Sequence, residues 1–107
     1  MSDVQQIIES LKRFRDERDW AQFHNSKDLA LALSIEAAEL NELFLWKEAE
    51  DADRERVAEE LADVFSYAFL LLDKYDLDLG EMMRRKIEIN GMNYPVSVAR
   101  GNARKHH

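Results

Sequence analysis

The sequence has 107 residues, of which 46% are hydrophobic and 35% charged, a composition typical of one globular domain rather than of a disordered chain. The formal net charge of −7 argues against a nucleic-acid partner that is bound through phosphate neutralisation. There is no cysteine, which excludes disulfide bonds and thiolate metal sites. Because no segment has the apolar length of a signal peptide or a membrane span, we expect a cytoplasmic protein with no membrane partner.

The first half of the chain predicts two helices. Ser2 and Gln5 form a capping-box pattern at the start of helix 1. This helix carries an apolar stripe formed by Ile7, Ile8, Leu11 and Phe14. Residues 17–25 break the helical period and predict an ordered loop. Ser26 is then the expected N-cap of helix 2, which we place over residues 27–47.

The second half predicts two more helices. The acidic residues 48–55 indicate a turn or a frayed helix start, and helix 3 is expected over residues 54–75. Asp78 predicts the N-cap of helix 4, which we place over residues 79–91, with Gly91 just beyond its last turn. Since glycine and proline are rare and strand-like alternation is absent, the fold class is all-α.

The domain prediction is a single domain over residues 1–107, with residues 95–107 as an extended and then loose tail. We expect a four-helix bundle that is completed by oligomerisation, as a homodimer or a homotetramer. The reason is that several large apolar residues lie off the main helical stripes and need cover. These residues are Leu31, Leu45, Phe65 and Phe69.

Residues 34–46, SIEAAELNELFLW, place carboxylates inside an otherwise apolar segment. At about 100° per residue, Glu36 falls in the middle of the apolar stripe of helix 2, and Glu39 falls on its edge. No basic residue lies one turn away from Glu36 on this helix. On helix 3, Glu60 and Asp63 have the same three-residue spacing and lie on one flank of the stripe. If helices 2 and 3 form an antiparallel hairpin, these two acidic pairs can face each other.

Four carboxylates at close range repel one another, so such a group either takes up protons or binds cations. Mg²⁺ prefers oxygen ligands of this kind, but the spacing alone leaves a metal site and a set of ordinary surface carboxylates both open. A di-iron bundle is disfavoured because it needs Glu-x-x-His pairs, which the chain lacks. A non-enzymatic helical interaction module accounts for the amphipathic helices, but not for Glu36 in mid-stripe or for Trp20 in a loop.

Four blocks of sequence carry a family resemblance: RDWAQFH (18–24), SIEAAELNELFLWK (34–47), EELADVFSYAFLL (59–71) and KIEINGMNYP (86–95). In this order and at these spacings they resemble the MazG-like all-α nucleoside triphosphate pyrophosphohydrolases, in particular the dCTP pyrophosphatase branch. The resemblance implies Mg²⁺-dependent hydrolysis of a deoxynucleoside triphosphate, best dCTP or a 5-modified dCTP, to the monophosphate and pyrophosphate. The alternative within the family is a pyrophosphatase of broad or modified-nucleotide specificity.

The resemblance also implies roles for particular residues. The metal ligands would hold two or more Mg²⁺ ions, with Mn²⁺ as a substitute; they are Glu36, Glu39, Glu60 and Asp63. Glu39 is the preferred acceptor of a proton from water. The small-molecule nucleotide would be contacted by Trp20, His24, Trp46, Tyr67, Lys86, Asn90 and Tyr94.

Side-chain chemistry leaves alternatives open for several of these residues. Trp20 and Trp46 offer flat faces on which a nucleobase can stack, but Trp46 on an apolar helix can equally pack in the core. His24 either binds the base or sugar or caps helix 2. Lys86 either contacts phosphate or lies on a solvated helix face.

Overall fold

The computed structural model describes residues 2–101 and residue 103, and these residues contain helices and no strand. The predicted all-α class is therefore confirmed. No helix in this part of the chain is both long and apolar enough to cross a membrane. The four main helices are α1 (Asp3–Glu17), α2 (Ser26–Glu42), α3 (Arg54–Lys74) and α4 (Leu79–Asn93).

The N-terminal caps of the helices follow the sequence closely. The Ser2 hydroxyl accepts the backbone N–H of Gln5 at 3.2 Å, as predicted for helix 1. The Asp78 carboxylate accepts the backbone N–H of Glu81 at 2.9 Å, as predicted for helix 4. Asp53 caps α3 in the same way. Each cap satisfies a backbone donor that has no partner within its own helix.

The prediction of Ser26 as the N-cap of helix 2 is wrong by one residue. Asn25 has extended backbone angles, and its Oδ1 accepts the backbone N–H of Asp28 at 2.9 Å. Its Nδ2 also donates to the Asp28 carboxylate at 2.7 Å. Because Asn25 both accepts and donates at this end, it caps the helix, and Ser26 becomes the first helical residue.

Helix 2 was predicted to reach residue 47, but α2 ends at Glu42. The chain tightens there, because the N–H groups of Leu43, Phe44 and Leu45 bond to carbonyls three residues back, at 3.2, 3.0 and 3.3 Å. Trp46 then takes a left-handed conformation with φ of 64°. A non-glycine residue in this region cannot continue a right-handed helix, so the apolar run leaves the helix before Trp46.

The end of helix 4 also differs from the prediction. Gly91 is not the residue after the helix, because α4 continues through it to Asn93. Tyr94 has left the helical region, with φ of −127° and ψ of 65°, and its N–H bonds to the carbonyl of Asn90 at 2.7 Å. Pro95 explains the position of this end, since proline disfavours helical angles at the residue before it.

The predicted extended tail is wrong over four residues, because Val96–Ala99 form one helical turn, α5, which Pro95 precedes. Residue 102 and residues 104–107 of that predicted tail lie outside the described residues. The chain divides into two compact units, Met1–Asp76 and Leu77–His107. Helices α1, α2 and α3 form the first unit, and α4 and α5 belong to the second. The single domain stays a prediction.

In the first unit, α2 and α3 pack against each other as an antiparallel hairpin. Its direction is clear from two contacts at opposite ends. His24, just before α2, faces the ring of Tyr67 in the second half of α3. Glu39, near the end of α2, lines one groove together with Arg56 near the start of α3. The hairpin thus provides the arrangement that the two acidic pairs require.

Helix α1 packs on α3, where Lys12 Nζ lies 3.4 Å from Asp73 Oδ2. The buried core of the described residues is small, and it consists of Ile8, Leu29, Leu43, Leu70 and Leu72. Burial of each such side chain stabilises the fold by about 1.5–3 kcal/mol. A core of this size supports the hairpin but leaves much of the apolar surface of the chain uncovered.

Candidate metal and nucleotide site

Three carboxylates from the hairpin converge at one point. Glu36 comes from α2, and Glu60 and Asp63 come from α3; one oxygen from each lies within 4.8 Å of the others. We call these three residues the acidic cluster. Oε2 of Glu36 and Oε2 of Glu60 are buried and have no hydrogen-bond partner among the described residues. A buried acceptor without a partner costs about 1–3 kcal/mol, so these oxygens fit a divalent cation, which prefers such ligands.

Glu39, the fourth predicted ligand, lies beside the cluster. It follows Glu36 by three residues on the same side of α2, and its carboxyl interacts with those of both Glu36 and Glu60. Glu39 itself is exposed. The structure therefore brings three of the four predicted ligands to one point and leaves the fourth at the solvent side of the same site.

The crowding of these groups changes their protonation. A hydrogen bond with Glu39, then burial, then the charges of Glu39, Asp63 and Glu60 raise the pKa of Glu36 to about 7. Burial and the charges of Glu39 and Asp63 also raise the pKa of Glu60, although the nearby charge of Arg56 opposes this. Without a cation, the cluster therefore holds a proton close to neutral pH, which is the behaviour expected of crowded carboxylates.

Tyr67 lies one turn beyond Asp63 on α3 and is half-buried. Burial raises the pKa of the Tyr67 phenol, and the charges of Glu36, Asp63 and Glu39 raise it further. The phenol therefore stays neutral near the cluster and can donate a hydrogen bond.

His24 faces Tyr67 from the loop before α2. The two rings meet edge to face, with centroids 6.4 Å apart and an interplanar angle of 71°. Burial lowers the pKa of His24, as do the charges of Arg15 and Lys74. Its Nδ1 is buried and has no hydrogen-bond partner in the described part of the chain. His24 does not cap α2, since Asn25 does so, and it thus offers a neutral ring with an unpartnered nitrogen beside Tyr67.

Trp20 lies in the loop after α1, with 45% of its surface exposed. Its ring meets Phe14 edge to face at a centroid distance of 5.8 Å. Arg18 fixes this corner, because its guanidinium lies 3.6 Å from the centroid of the Phe14 ring and its Nη1 donates to the Phe14 carbonyl at 2.9 Å. The left-handed Asp19 turns the chain between them. Trp20 is thus held in place and remains partly exposed, although its contact with a base stays a prediction.

Trp46 is 99% exposed and lies in the turn after α2. This position excludes the alternative that its ring packs in the core of this chain. An exposed tryptophan in a left-handed conformation has no packing contact to offset its backbone strain, which favours a role in binding. The assignment of Trp46 to a nucleobase stays a prediction.

Lys86, Asn90 and Tyr94 follow one another at four-residue spacing along α4 and at its end. This spacing places Lys86 and Asn90 on one side of the helix, and Tyr94 lies just beyond the helix end. The three residues belong to the second unit, and their contact with phosphate stays a prediction.

A groove of about 350 Å³ adjoins the acidic cluster along the hairpin, and it is lined by Glu39, Glu42, Leu43, Arg56 and Glu60. Arg56 was not predicted as a site residue from the sequence. The signal was present, because Arg56 precedes Glu60 by four residues and therefore lies on the same helical face. A single basic residue in the first turn of a helix is nevertheless common on solvated surfaces, and only the packing of α2 against α3 reveals the groove.

In this chain, carboxylates from both helices of an antiparallel hairpin come together. The fold and the site therefore place the chain among the all-α proteins that carry a candidate divalent-metal site on a helical hairpin. Residues 31–107 match the model of the MazG-like family, and the chain belongs to this family. The matched segment contains both acidic pairs. The family resemblance carried by the four sequence blocks is thus confirmed.

Individual relatives agree with this assignment. The chain is 40% identical over 111 aligned positions to dCTP pyrophosphatase 1 of Bos taurus. This alignment covers 92% of this chain and 66% of the bovine protein. The chain is also 40% identical to the Homo sapiens protein of the same name, in an alignment that covers 92% of this chain and 65% of the human protein. The chain thus spans slightly less than two thirds of these relatives. A pyrophosphatase structure from Archaeoglobus fulgidus is similar with a TM-score of 0.81 and 35% identity, over 89% of this chain and 94% of that one.

Proposed function

We propose that the chain is a Mg²⁺-dependent nucleoside triphosphate pyrophosphohydrolase that removes unwanted nucleotides from the pool. It converts a deoxynucleoside triphosphate, with dCTP or a 5-modified dCTP as the preferred substrate, to the monophosphate and pyrophosphate. The observation that carries the proposal is the convergence of Glu36, Glu60 and Asp63, with two buried oxygens that lack partners. The similarity to proteins named dCTP pyrophosphatase 1 supports the substrate class.

The acidic cluster and Glu39 are the residues that would hold the metal. Four ionised carboxylates carry a charge of about −4, which two or more Mg²⁺ ions balance, and Mn²⁺ is a suitable substitute. When bound, the ions activate water and neutralise charge on the phosphates. These carboxylates therefore both bind the metal and exclude a negatively charged substrate until the metal is present.

The other residues of the site have roles that follow from their chemistry. Glu39 and Asp63 are the two exposed carboxylates of the four, and of these two only Glu39 lines the groove, so Glu39 is the one that accepts the proton of the attacking water. The neutral phenol of Tyr67 and the neutral ring of His24 donate or accept hydrogen bonds at the sugar and base end. Trp20 and Trp46 offer faces for the base, worth about 1–3 kcal/mol per stacked base.

We also propose that residues on α4 and at its end contact the phosphates of the substrate. Lys86 supplies a point charge that suits phosphate, Asn90 supplies a polar donor on the same side of α4, and Tyr94 supplies another just after the helix. This assignment rests on the family resemblance and on the shared helical face of Lys86 and Asn90.

The assembly that we propose is a homodimer or a homotetramer. Three of the four off-stripe apolar residues are exposed, Leu31 by 59%, Phe65 by 50% and Leu45 by 46%. Phe65 also stacks on Phe69, with ring centroids 5.7 Å apart, which forms a continuous apolar surface on α3. A second copy of the chain would cover this surface, as exposed apolar patches on small domains commonly mark interfaces. Light scattering at micromolar concentration tests this, and a monomer would contradict it.

Product analysis tests the proposed reaction. Incubation of the protein with dCTP and Mg²⁺ is expected to release dCMP and pyrophosphate, and EDTA is expected to stop the release. Products of dCDP and orthophosphate would contradict the proposal, since the bond broken would then be the one to the terminal phosphate.

A second candidate is a broad-specificity pyrophosphohydrolase, which the open faces of Trp20 and Trp46 favour because every base can stack. A panel of kcat/KM values for the four dNTPs, UTP, CTP and 5-methyl-dCTP separates the two. We expect cytosine substrates to lead the ranking, since polar groups such as His24 can reject a wrong base edge strongly. If dATP, dGTP or dTTP is used at least as efficiently, the broad-specificity function stands instead.

Thermal unfolding with and without Mg²⁺ distinguishes the proposed enzyme from a non-enzymatic helical interaction module. A cluster of crowded carboxylates gains stability when it binds the ion, by mass action. An interaction module without such a site does not respond, so an unchanged Tm at millimolar Mg²⁺ would favour the module.

A further inference from the structure

Arg56 is a cation inside an acidic groove. It lies near the start of α3 and lines the groove of about 350 Å³ with Glu39, Glu42 and Glu60. Its charge reaches the acidic cluster, because it opposes the rise in the pKa of Glu60. A guanidinium in this position is expected to pair with a neighbouring carboxylate, since charge-assisted pairs with arginine are strong and often bidentate.

Arg56 nevertheless makes no such pair. Within the described residues, no carboxylate oxygen lies within 4.0 Å of its nitrogens, and its side chain makes no hydrogen bond. The five donors of the guanidinium therefore remain available to a ligand in the groove. These donors form their strongest hydrogen bonds with an anionic ligand, and the adjacent carboxylates favour an anion that arrives with bound cations.

The hairpin fixes the order of the groups that such a ligand would meet. Tyr67, the acidic cluster and Arg56 follow one another along α3 in the direction of its N-terminus. At about 1.5 Å per residue, Tyr67 and Arg56 lie about 16 Å apart along the axis, with the acidic cluster between them. His24 faces Tyr67, so the groups suited to a base or sugar lie at one end and the free cation lies at the other.

We infer that Arg56 binds the two phosphates that leave as pyrophosphate, an assignment that rests on the proposed function. The planar guanidinium matches phosphate geometry with two parallel hydrogen bonds. It lies on the far side of the acidic cluster from His24, where the terminal phosphates of a bound nucleotide fall if the base end is at His24. Arg56 also stabilises the charge that develops on the leaving group.

The test compares Arg56→Gln and Arg56→Lys with a matched control, Arg54→Gln. Arg54 lies two residues away on the same helix, about 200° round its axis, and does not line the groove. The inhibition constants of pyrophosphate and of dCMP are measured for each variant against dCTP turnover at saturating Mg²⁺. The activation by Mg²⁺ and far-UV circular dichroism are recorded for the same samples.

For Arg56→Gln, we expect the inhibition constant of pyrophosphate to rise about tenfold or more, the loss typical of a charge-assisted hydrogen bond. That of dCMP should stay within about twofold, because dCMP lacks the phosphates in question. Arg56→Lys should recover part of the affinity for pyrophosphate, since lysine restores the positive charge but not the two parallel N–H donors of the guanidinium. Arg54→Gln should match the parent protein in both constants.

Two results would overturn the assignment. If both inhibition constants of Arg56→Gln equal those of Arg54→Gln, Arg56 does not contact the substrate. If both rise together, or if Arg56→Gln needs a higher Mg²⁺ concentration for activation while both constants at saturating Mg²⁺ stay normal, Arg56 acts through Glu60 and the metal instead. Absence of Mg²⁺-dependent pyrophosphate release by the unchanged protein is a separate outcome, which removes the proposed function itself, and direct calorimetric titration with Mg²⁺ and pyrophosphate then decides whether Arg56 binds this anion.

Discussion

Glu36 on α2 and Asp63 on α3 each place a carboxylate oxygen within 4.8 Å of the other, across the interface of the helical hairpin. Two like charges at this separation repel by about 1 kcal/mol in bulk water, and more where water is partly excluded. The packing of the two helices imposes this proximity, so the repulsion has to be relieved by a proton or by a cation. The same relationship therefore links the fold, the protonation of Glu36 and the binding of metal.

The first prediction concerns the ligands. Glu36→Gln and Asp63→Asn are each expected to lower dCTP turnover by about 100-fold or more, since residues that merely support a ligand typically cost about 10–100-fold. Both variants should keep the helical circular dichroism of the parent, because neither side chain belongs to the buried apolar core.

Glu59→Gln is the matched control for this prediction. Glu59 neighbours Glu60 on α3 but is exposed, so its loss should leave turnover within about twofold. Near-normal turnover of both ligand variants at saturating Mg²⁺ would show that these carboxylates do not hold the metal.

The second prediction is a pH dependence of the metal-free protein. The pKa of Glu36 is about 7 when folded and close to 4.5 when unfolded, so between these values the folded state binds more protons. Stability then falls as the pH rises through this window. In EDTA, we expect Tm to drop between pH 5.5 and pH 8 by more in the parent protein than in Glu36→Gln, where the group cannot ionise.

Mg²⁺ should reverse this trend, because the ion prefers the ionised carboxylates and competes with the proton. The rise in Tm on adding Mg²⁺ is expected to be larger at pH 8 than at pH 5.5. The same pH dependence in Glu36→Gln and in the parent would assign it to other groups.

Much of the fold could be predicted because its signals are local. Ser2 and Asp78 cap their helices as the sequence indicates, since a capping side chain acts on backbone groups two or three residues away. The ends of helices 2 and 4 could not be placed as well. Helix 2 ends at Glu42, before the turn in which Trp46 is left-handed, and helix 4 passes through Gly91 and ends at Asn93, two residues before Pro95. Glycine permits a helix end but does not impose one, whereas proline does.

The site could be predicted in part for a similar reason. The three-residue spacing of Glu60 and Asp63 fixes their common face, and the position of Glu36 in the apolar stripe of helix 2 indicates burial against a partner helix. Arg56 could not be found in this way. Its importance depends on which groups of α2 lie opposite, and on the fact that none of them pairs with it, and neither property is encoded in the local pattern of α3.

The third prediction separates binding from stability at Trp46. Its φ of 64° costs about 1–2 kcal/mol for a residue with a side chain, and its ring is 99% exposed and so contributes little packing. Trp46→Gly removes the strain, while glycine costs about 0.5–1 kcal/mol in chain entropy. We therefore expect Trp46→Gly to unfold at the same Tm as the parent or higher, while KM for dCTP rises.

Trp46→Ala is the control, because it removes the ring but keeps a side chain at the left-handed position. It should raise KM as much as Trp46→Gly does and should be less stable than that variant. An unchanged KM in both variants would show that the exposed ring serves something other than the nucleotide, such as contact with a second copy of the chain.

The fourth prediction concerns the corner formed by Arg18, Phe14 and Trp20. Arg18→Met removes the guanidinium that lies 3.6 Å from the Phe14 ring centroid and the hydrogen bond to the Phe14 carbonyl, so Trp20 loses the support of its neighbour. Such a contact is worth about 0.5–1 kcal/mol at an exposed site, and misplacement of Trp20 forfeits part of a stacking interaction worth about 1–3 kcal/mol. We expect KM for dCTP to rise about three- to tenfold with kcat nearly unchanged, because the acidic cluster is untouched.

Arg13→Met is the matched control for Arg18→Met, since Arg13 is exposed on the same helix and makes no ring contact with described residues. Tryptophan fluorescence provides a second readout, although Trp46 contributes to it, so the comparison is best made in the Trp46→Gly background. In that background the emission of Trp20 should shift with Arg18→Met and not with Arg13→Met. A loss of kcat equal to the change in KM would contradict the prediction, because it would mean that Arg18 supports the reacting centre rather than the position of Trp20.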